Sequence, residues 1–353
     1  MLPYLFFIYI IVMLSIISVK DKYNALVSKL YIPINLPLFI FFGGLASSRG
    51  DYKSYKLIFN YPEKSHVETG FIFLNNVVRD LGGNYHDLLL ITVALSVLLK
   101  LVAFKKNTPY FTIAVIIYTG VYFVPAEMGS LRFGIAMAFF LFSIHYIHEK
   151  KFLPFLIIII ISSTIHIFSL AVVLLYIFNL FNFKRKDYVL LFILSIFFYL
   201  FFINKFSNFL EKILPSNNIY LSRGLRYLFY QDAVKINFAI VKRILLFIIS
   251  LIFFNKFKII LPNFKVIFNS YFLSIIIFFI FSGSFTFANR SSWFFASVEP
   301  ILLTGFIGTT NNKMFKYLII TLLIAYSILS LVHTLRTQSD NFNLYLPYNN
   351  IFF

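Results

Sequence analysis

The chain has 353 residues, of which 60% are hydrophobic, 21% aromatic and only 12% charged. Soluble domains average about 25% charged residues, so this composition excludes an ordinary soluble protein and indicates an all-α, polytopic membrane protein. The absence of cysteine excludes disulfides, thiolate nucleophiles and Cys-ligated zinc. The formal charge of +18 falls mainly in short loops, where orientation and anionic headgroups explain it without nucleic acid.

Apolar runs of about 16 to 20 residues recur along the chain, and helices of that length cross about 30 Å of hydrocarbon. They predict about twelve transmembrane helices in a single domain over residues 1–353. The first lacks a basic start and a cleavage site, so we expect it to be retained. The expected positions are 2–18, 30–46, 86–104, 109–125, 133–148, 152–164, 166–181, 188–204, 236–254, 266–283, 293–309 and 315–333.

Basic residues in alternate short loops predict the orientation by the positive-inside rule. The stretch 152–181 is either one long tilted helix or a hairpin. Only a hairpin, with its turn near 162–166, keeps every basic loop on the cytoplasmic side, so we favour it. Both chain ends, and two large loops at about 47–85 and 205–235, then lie outside. The basic loops are 20–24, 105–106, 148–151, 184–186, 255–258 and 311–316.

One of these outer loops contains apolar residues at helical spacing. Phe71, Leu74, Val78 and Leu81 recur every three or four positions. This spacing predicts a short amphipathic helix over 68–82, lying in the membrane interface.

Candidate functional residues begin directly after the second predicted helix. Arg49, Asp51, Tyr52 and Tyr55 follow that helix, and Glu68 opens the amphipathic one. Charged groups at the hydrocarbon edge either snorkel to water or line a polar cavity. Each of these residues could therefore have a purely structural role or a functional one.

Arg132 and His166 are two further candidates. Arg132 begins a predicted helix, where its charge opposes the helix dipole, so we expect an anionic partner, either Glu127 or a ligand. His166 is a lone imidazole in an apolar hairpin. It is either a buried side chain that donates to a backbone carbonyl or, because imidazole titrates near neutrality, a proton-transfer group.

Three more arginines fall in the predicted outer loops, namely Arg223, Arg226 and Arg290. Arginine forks bind phosphate oxygens bidentately. Together with Arg49 and Arg132 they suggest a site for an anion of diphosphate size. The sequence carries no P-loop, no GxGxxG before a helix and no HExxH, so it lacks the signatures of NTP-driven transport, dinucleotide use and zincin hydrolysis.

Several motifs occur in a definite order along the chain. An Arg and DYxxY at 49–55 precede ETGFIFLN; then come LRFGIAMAFFLFSIHYIHEKKF, SSTIHIFSLA, NRSSWFF and YLPYNN. This order resembles EpsG-like and Wzy-type polysaccharide polymerases over about residues 45–350. Two departures are that ETGF stands where the family usually has Glu-Pro-Gly-Phe, and that the loop 205–235 matches no family motif.

The resemblance implies a GT-C-like fold and a multi-pass glycosyltransferase, independent of metal and nucleotide, in the bacterial cytoplasmic membrane. Its active site would face the extracytoplasmic side. Such an enzyme moves a growing O-antigen (lipopolysaccharide), capsule or exopolysaccharide chain from undecaprenyl diphosphate to the next lipid-linked repeat unit. The implied partners are the undecaprenyl-diphosphate-linked oligosaccharide, membrane lipid, a flippase and a chain-length regulator, with no cofactor, metal ion or nucleic acid.

For this reaction, arginines would stabilise the departing diphosphate, because aligned donors in a poorly hydrated site lower the barrier most. We expect Arg132 and Arg290 to form the clamp, followed by Arg49 and then Arg223. A base must also take the proton of the acceptor hydroxyl.

His166 is the first choice for this base and Glu68 the second. Asp51 is expected to orient Arg49. Three aromatic side chains could stack against sugar rings, although interfacial aromatic belts also explain the tyrosines; they are Tyr52, Tyr55 and Trp293.

Three other functions use similar residues. A transporter or flippase for lipid-linked glycan should have basic groups along its whole path, whereas here they concentrate at one end. An O-antigen ligase-type transferase needs the same leaving-group chemistry, so the sequence does not separate it from a polymerase. An acyltransferase would use His166.

Overall fold

The structure is a computed structural model, and it describes residues 1–19, 24–47, 50–65, 67–213, 238–282, 285–336, 338–339 and 342–351. These residues are almost entirely helical, as expected for a chain whose backbone polar groups must be satisfied in hydrocarbon. The first nine helices are α1 Leu2–Val19, α2 Asn24–Phe39, α3 Tyr52–Asn60, α4 Thr69–Asp80, α5 Tyr85–Asn107, α6 Phe111–Tyr118, α7 Leu131–His148, α8 Phe152–Ile165 and α9 Val172–Leu180.

The later helices include the longest one in the described chain. They are α10 Arg185–Ile213, α11 Phe238–Ile252, α12 Phe254–Ile260, α13 Phe264–Ile280, α14 Phe285–Ala296, α15 Glu299–Thr304 and α16 Lys313–Leu335. Two π-helical segments, Ile40–Gly44 and Thr119–Gly129, extend α2 and α6. Short 3-10 segments lie at Pro62–Lys64, Ile167–Ala171 and Gly305–Thr309, and the two-residue strands β1 Gln338–Ser339 and β2 Phe342–Asn343 pair antiparallel.

Four helical segments of the described chain are long and apolar enough to cross a membrane: α5, α6 with its π-helical extension, α7 and α16. The pair α11 and α12 makes a fifth if it counts as one span, although it bends by 83°. Several other apolar helices are shorter, among them α8 and α13. The chain is therefore an all-helical protein with several membrane-span candidates, and about twelve spans stays a prediction.

The predicted helices agree with the structure in most places. The amphipathic helix expected over 68–82 is confirmed as α4. The chain also breaks where the hairpin turn was expected, because α8 ends at Ile165 and a 3-10 segment begins at Ile167. The single helix predicted at 293–309 is wrong, since α14 ends at Ala296 and a new helix begins at Glu299, with Pro300 in its first turn.

The described residues form two compact units. The first comprises Met1–Val173, Ile260–Asn263 and Pro300–Phe353, and the second comprises Leu174–Ile259 and Phe264–Glu299. The single functional domain over 1–353 stays a prediction.

In the first unit, α7 packs against α5 and α8, and α4 packs on α8. A capping box fixes the start of α5: the Asn84 side chain accepts from the His86 backbone N–H at 2.8 Å, and Asp87 Oδ2 accepts from the Asn84 backbone N–H at 2.7 Å. In the second unit, α13 packs against α14 and α10, and Ser270 Oγ donates to the Phe295 carbonyl at 2.7 Å.

The C-terminal tail of the first unit is held beside the end of the second helix. The Ser47 N–H donates to the Asn349 carbonyl at 2.9 Å, and the Ile351 N–H donates to the Leu45 carbonyl at 3.2 Å. Tyr348 stacks on Phe42 with 4.6 Å between ring centroids. The YLPYNN motif is therefore part of the same unit as the first outer-loop motif.

Candidate functional site

Glu68 and Arg132 form an ion pair where three parts of the first unit meet. Glu68 precedes α4, and Arg132 is the second residue of α7. Glu68 Oε2 accepts from Arg132 Nη1, and Oε1 accepts from the Ile167 backbone N–H at 3.0 Å. Glu68 therefore connects α7 to the break between α8 and α9.

Two aromatic rings flank this guanidinium. Its Cζ atom lies 5.9 Å from the ring centroid of Tyr55 and 5.8 Å from that of Phe71, at distances where cation–π attraction operates. We call Tyr55, Glu68, Phe71, Arg132 and the Ile167 N–H the Glu68–Arg132 cluster. Its two charged side chains keep about a fifth of their surface exposed, 22% for Arg132 and 19% for Glu68.

The cluster retains donor capacity. Arg132 Nε is buried and has no hydrogen-bond partner among the residues that the structure describes, although a guanidinium carries five N–H donors. A buried donor without a partner is costly. An anion that entered the cluster could therefore satisfy it.

Tyr55 is the neutral member of the cluster. Burial raises the pKa of its hydroxyl, and the neighbouring Arg132 charge offsets part of this increase. Tyr55 therefore stays protonated at physiological pH, and its side chain is 6% exposed. Tyr55 therefore lines the cluster, and its stacking on a sugar ring stays a prediction.

His166 lies next to the cluster, directly before Ile167. Its Nδ1 accepts from the Phe168 backbone N–H at 3.2 Å, and its ring packs edge-on against Phe133 at 5.5 Å. Because Nδ1 accepts, the neutral ring carries its proton on Nε2. In this arrangement His166 is a donor at Nε2.

Asp51 and Tyr52, two further candidates from the first outer loop, contact other parts of the first unit. Asp51 Oδ2 accepts from Ser130 Oγ at 3.5 Å, two residues before Arg132. Asp51 is exposed, and its charge contributes, after burial, to raising the pKa of Tyr345 to about 12. The Tyr52 hydroxyl is 3.2 Å from His86 Nε2, so the Tyr52 side chain contacts the start of α5.

A close helix contact brings Glu68 to its position. A Cβ atom at Gly70 would overlap the Thr164 side chain and lie 2.8 Å from its carbonyl oxygen. Only a glycine lets α4 approach α8 this closely. The contact places the residue two positions earlier, Glu68, beside the end of α8.

Glu127, one of the two partners expected for Arg132, does not pair with it. Its carboxylate pairs instead with Lys100 of α5, and both side chains are 1% exposed. The Tyr118 hydroxyl donates to the same carboxylate at 2.8 Å. The π-helical geometry of Thr119–Gly129 changes the residue spacing that a regular helix would give, and Glu127 faces the interior.

The sequence patterns above did not point to Lys100. It lies within an apolar run, where a lone charge is rare and usually paired, and that signal could have found it. Its partner could not have been chosen from sequence, because Glu127 is 27 residues away.

Two predicted residues lie in the second unit. On α14, Arg290 is exposed and Trp293 is half-buried. Ser292 lies between them on the same helix, and its hydroxyl accepts from Arg243 Nη1 at 2.6 Å. Arg243 of α11 is buried, and the sequence patterns did not point to it.

Three other predicted arginines, Arg49, Arg223 and Arg226, lie outside the described residues. Within the described part of the chain, no group of three or more His, Cys, Asp or Glu side chains gathers as metal ligands would. The groups that the structure brings together are therefore an arginine, a glutamate, a histidine and aromatic rings.

This arrangement can bind an anion and exchange a proton. The guanidinium supplies fixed donors, and each Glu68 oxygen already accepts one hydrogen bond and retains a further lone pair. An anion and a hydroxyl group could thus be held side by side, one at Arg132 and the other at Glu68.

The chain matches a known protein family. The family model described as the EpsG family matches residues 29–350, which is nearly the whole chain and includes the Glu68–Arg132 cluster. No curated protein and no solved structure matches the chain.

Proposed function

This chain belongs to the EpsG family, and from that premise we propose that it transfers a growing glycan from undecaprenyl diphosphate to the next lipid-linked repeat unit. It is a membrane protein of the polysaccharide-polymerase type. We further propose that the reaction takes place at the extracytoplasmic face of the bacterial cytoplasmic membrane. About twelve spans and a GT-C-like fold belong to the same proposal.

The observation that carries this proposal is the pairing of Arg132 with Glu68. An arginine near the beginning of a helix is held by a carboxylate on one side, while a buried donor, Nε, remains available. A diphosphate is a stronger competitor for a guanidinium than a single carboxylate, because it offers more negative charge and bidentate oxygens. Arg132 would bind the substrate diphosphate by partly releasing Glu68.

This release couples binding to proton transfer. While Glu68 pairs with Arg132, the guanidinium occupies one of its two carboxylate oxygens. Once the diphosphate binds Arg132 in place of Glu68, that oxygen can accept the hydroxyl proton. We propose Glu68 as the group that takes the proton of the acceptor hydroxyl, with the Ile167 N–H keeping it in place.

The proposed transfer reaction needs no cofactor. The acceptor oxygen attacks the anomeric carbon of the growing chain and forms the new glycosidic bond. The bond between that carbon and the diphosphate oxygen breaks, and undecaprenyl diphosphate leaves with the electron pair, stabilised by Arg132. The hydroxyl proton passes to Glu68.

The geometry favours this assignment over His166 as the base. With Nδ1 accepting from Phe168, the neutral ring has no free lone pair at Nε2. We propose that His166 Nε2–H donates to the substrate next to Glu68. Arg290, Arg49 and Arg223 remain proposed diphosphate contacts. Tyr52, Tyr55 and Trp293 remain proposed to stack against sugar rings, and Asp51 remains proposed to orient Arg49.

The test uses purified protein in lipid vesicles supplied with undecaprenyl-diphosphate-linked repeat units. We expect a ladder of products and one undecaprenyl diphosphate released for each new linkage. Arg132→Gln should lower the rate about 10²- to 10³-fold. Glu68→Gln keeps the shape of the side chain but cannot accept a proton, and should lower it about 10²- to 10⁴-fold.

Arg79→Gln is the matched control, because Arg79 is an exposed arginine in the last turn of α4. It should leave the ladder unchanged. If the protein moved lipid-linked units across the bilayer without elongating them, the proposed polymerase function would be wrong and the protein would be a transporter. If it transferred finished polymer once to a different acceptor, it would be a ligase.

A further inference from the structure

Lys100 and Glu127 form a fully buried ion pair that the proposed reaction does not use. Lys100 lies in α5 and Glu127 near the end of the π-helical extension of α6. Both belong to the membrane-span candidates, where a charge is expensive and usually functional. A buried pair is also weak evidence for stability, because its desolvation cost can exceed its attraction.

The contacts of Lys100 join two points of the chain. Its Nζ donates to the carboxylate of Glu127 and to the backbone carbonyl of Gly134, the latter at 2.9 Å. Ser96 Oγ donates to the same carbonyl at 3.0 Å. Tyr118 fixes the carboxylate from the other side, with its hydroxyl 2.8 Å away.

The segment between these two points, 128–133, carries Arg132. It contains the change from π-helix to α7, and the Ser130 N–H donates back to the Pro125 carbonyl at 3.2 Å. Both neighbours of this six-residue segment, Glu127 and Gly134, are held by Lys100 of α5. Because both of its ends are fixed, the segment cannot slide along the helix axis of α7. At Gly134, a Cβ atom would lie 2.7 Å from the Ala126 carbonyl oxygen, so the segment also closes tightly on itself.

We propose that Lys100 is a positioning residue for Arg132. By holding Glu127 and Gly134 to α5, it fixes where the guanidinium meets Glu68 and the incoming anion. The effect on transfer rests on the proposed function, whereas the effect on the order of segment 128–133 does not. A misplacement of about 1 Å at a clamp costs about 10²-fold in rate, so this role is measurable.

The decisive variant is Lys100→Met/Glu127→Met/Tyr118→Phe. It keeps the side-chain volumes and leaves no buried charge or unpaired hydroxyl, so it should remain folded. We expect the turnover rate to fall about 10- to 100-fold with little change in KM for the lipid-linked unit. We also expect amide hydrogen exchange in 128–134 to become at least about tenfold faster, with exchange elsewhere in α5 and α7 unchanged.

Lys106→Met is the matched control, because Lys106 is an exposed lysine on the same helix. It should change neither readout. If the triple variant does not accumulate, Tyr118→Phe alone gives a milder form of the test, with a turnover loss of about two- to fivefold and the same local exchange change.

The outcomes separate the two proposals. Wild-type exchange in the triple variant would overturn the positioning role, whatever the activity. Faster exchange with wild-type turnover would overturn its catalytic consequence. If the wild-type protein transfers no glycan at all, the proposed function fails, and the exchange measurement still decides whether Lys100 orders the segment.

Discussion

Glu68 and Arg132 pair across 64 residues of sequence, although Glu127 lies much nearer to Arg132 along the chain. Glu127 forms an ion pair with Lys100 instead. An anion that binds Arg132 therefore competes with Glu68 alone among the described carboxylates, and the displaced group is the one that we propose as the base. The same contact thus links substrate binding to proton transfer.

The Glu68–Arg132 pair should contribute measurably to stability. Both side chains are mostly buried, and hydrogen bonds to charged groups contribute about 1.5 to 3 kcal/mol. A double-mutant cycle with Glu68→Ala and Arg132→Ala should give a coupling energy of about 1 to 3 kcal/mol when unfolding is titrated with SDS. The exposed pair Glu149–Lys151 serves as control and should show no measurable coupling.

Gly70→Ala should separate α4 from α8. The added methyl group would overlap Thr164, including its backbone carbonyl, so α4 must shift and move Glu68 away from the Ile167 N–H. We expect a stability loss of about 1 to 3 kcal/mol together with reduced glycan transfer. Thr69→Ala, at an exposed neighbour, should leave both unchanged; a Gly70→Ala protein with wild-type transfer would show that this contact does not place Glu68.

Tyr348→Ala should release the C-terminal tail. Tyr348 stacks on Phe42, and its hydroxyl donates to the Phe42 carbonyl at 2.9 Å. Losing the ring and this hydrogen bond should cost about 2 to 4 kcal/mol. Limited proteolysis should then cut the tail faster, whereas Tyr317→Ala, at a tyrosine 63% exposed, should not change the rate.

Alkaline pH should weaken the same tail through Tyr345. Burial, and then the charge of Asp51, raises the pKa of Tyr345 to about 12, above the ordinary tyrosine value of about 10. The unfolded chain therefore loses this proton first, so stability is fully present below about pH 10 and declines by about 2 to 3 kcal/mol as the pH approaches 12. Thermal unfolding in detergent, followed by circular dichroism from pH 9 to 12, should show a smaller decline for Tyr345→Phe; an equal decline in both proteins would assign it to other groups.

Local sequence patterns predicted the helical class, most helix positions, α4 and the break at His166. These features depend on hydropathy and on periodicity within about 20 residues, so the neighbouring residues contain the necessary information. The sequence did not predict α3, because the charged and phenolic side chains of this stretch are typical of a loop. It also did not predict the break before Glu299, since the apolar run continues through it.

The pairing of charges was decided by tertiary structure alone. Whether Arg132 meets Glu127 or Glu68 depends on the π-helical turn that directs Glu127 inward, on the lysine in α5 and on the glycine contact between α4 and α8. Each involves residues far apart in sequence, and electrostatic pairing is determined by distance in space and by desolvation. By itself, the sequence therefore determined which ionisable residues the chain contains and the helices that carry most of them, whereas the packing of those helices decided which charges are neutralised and which donor stays available.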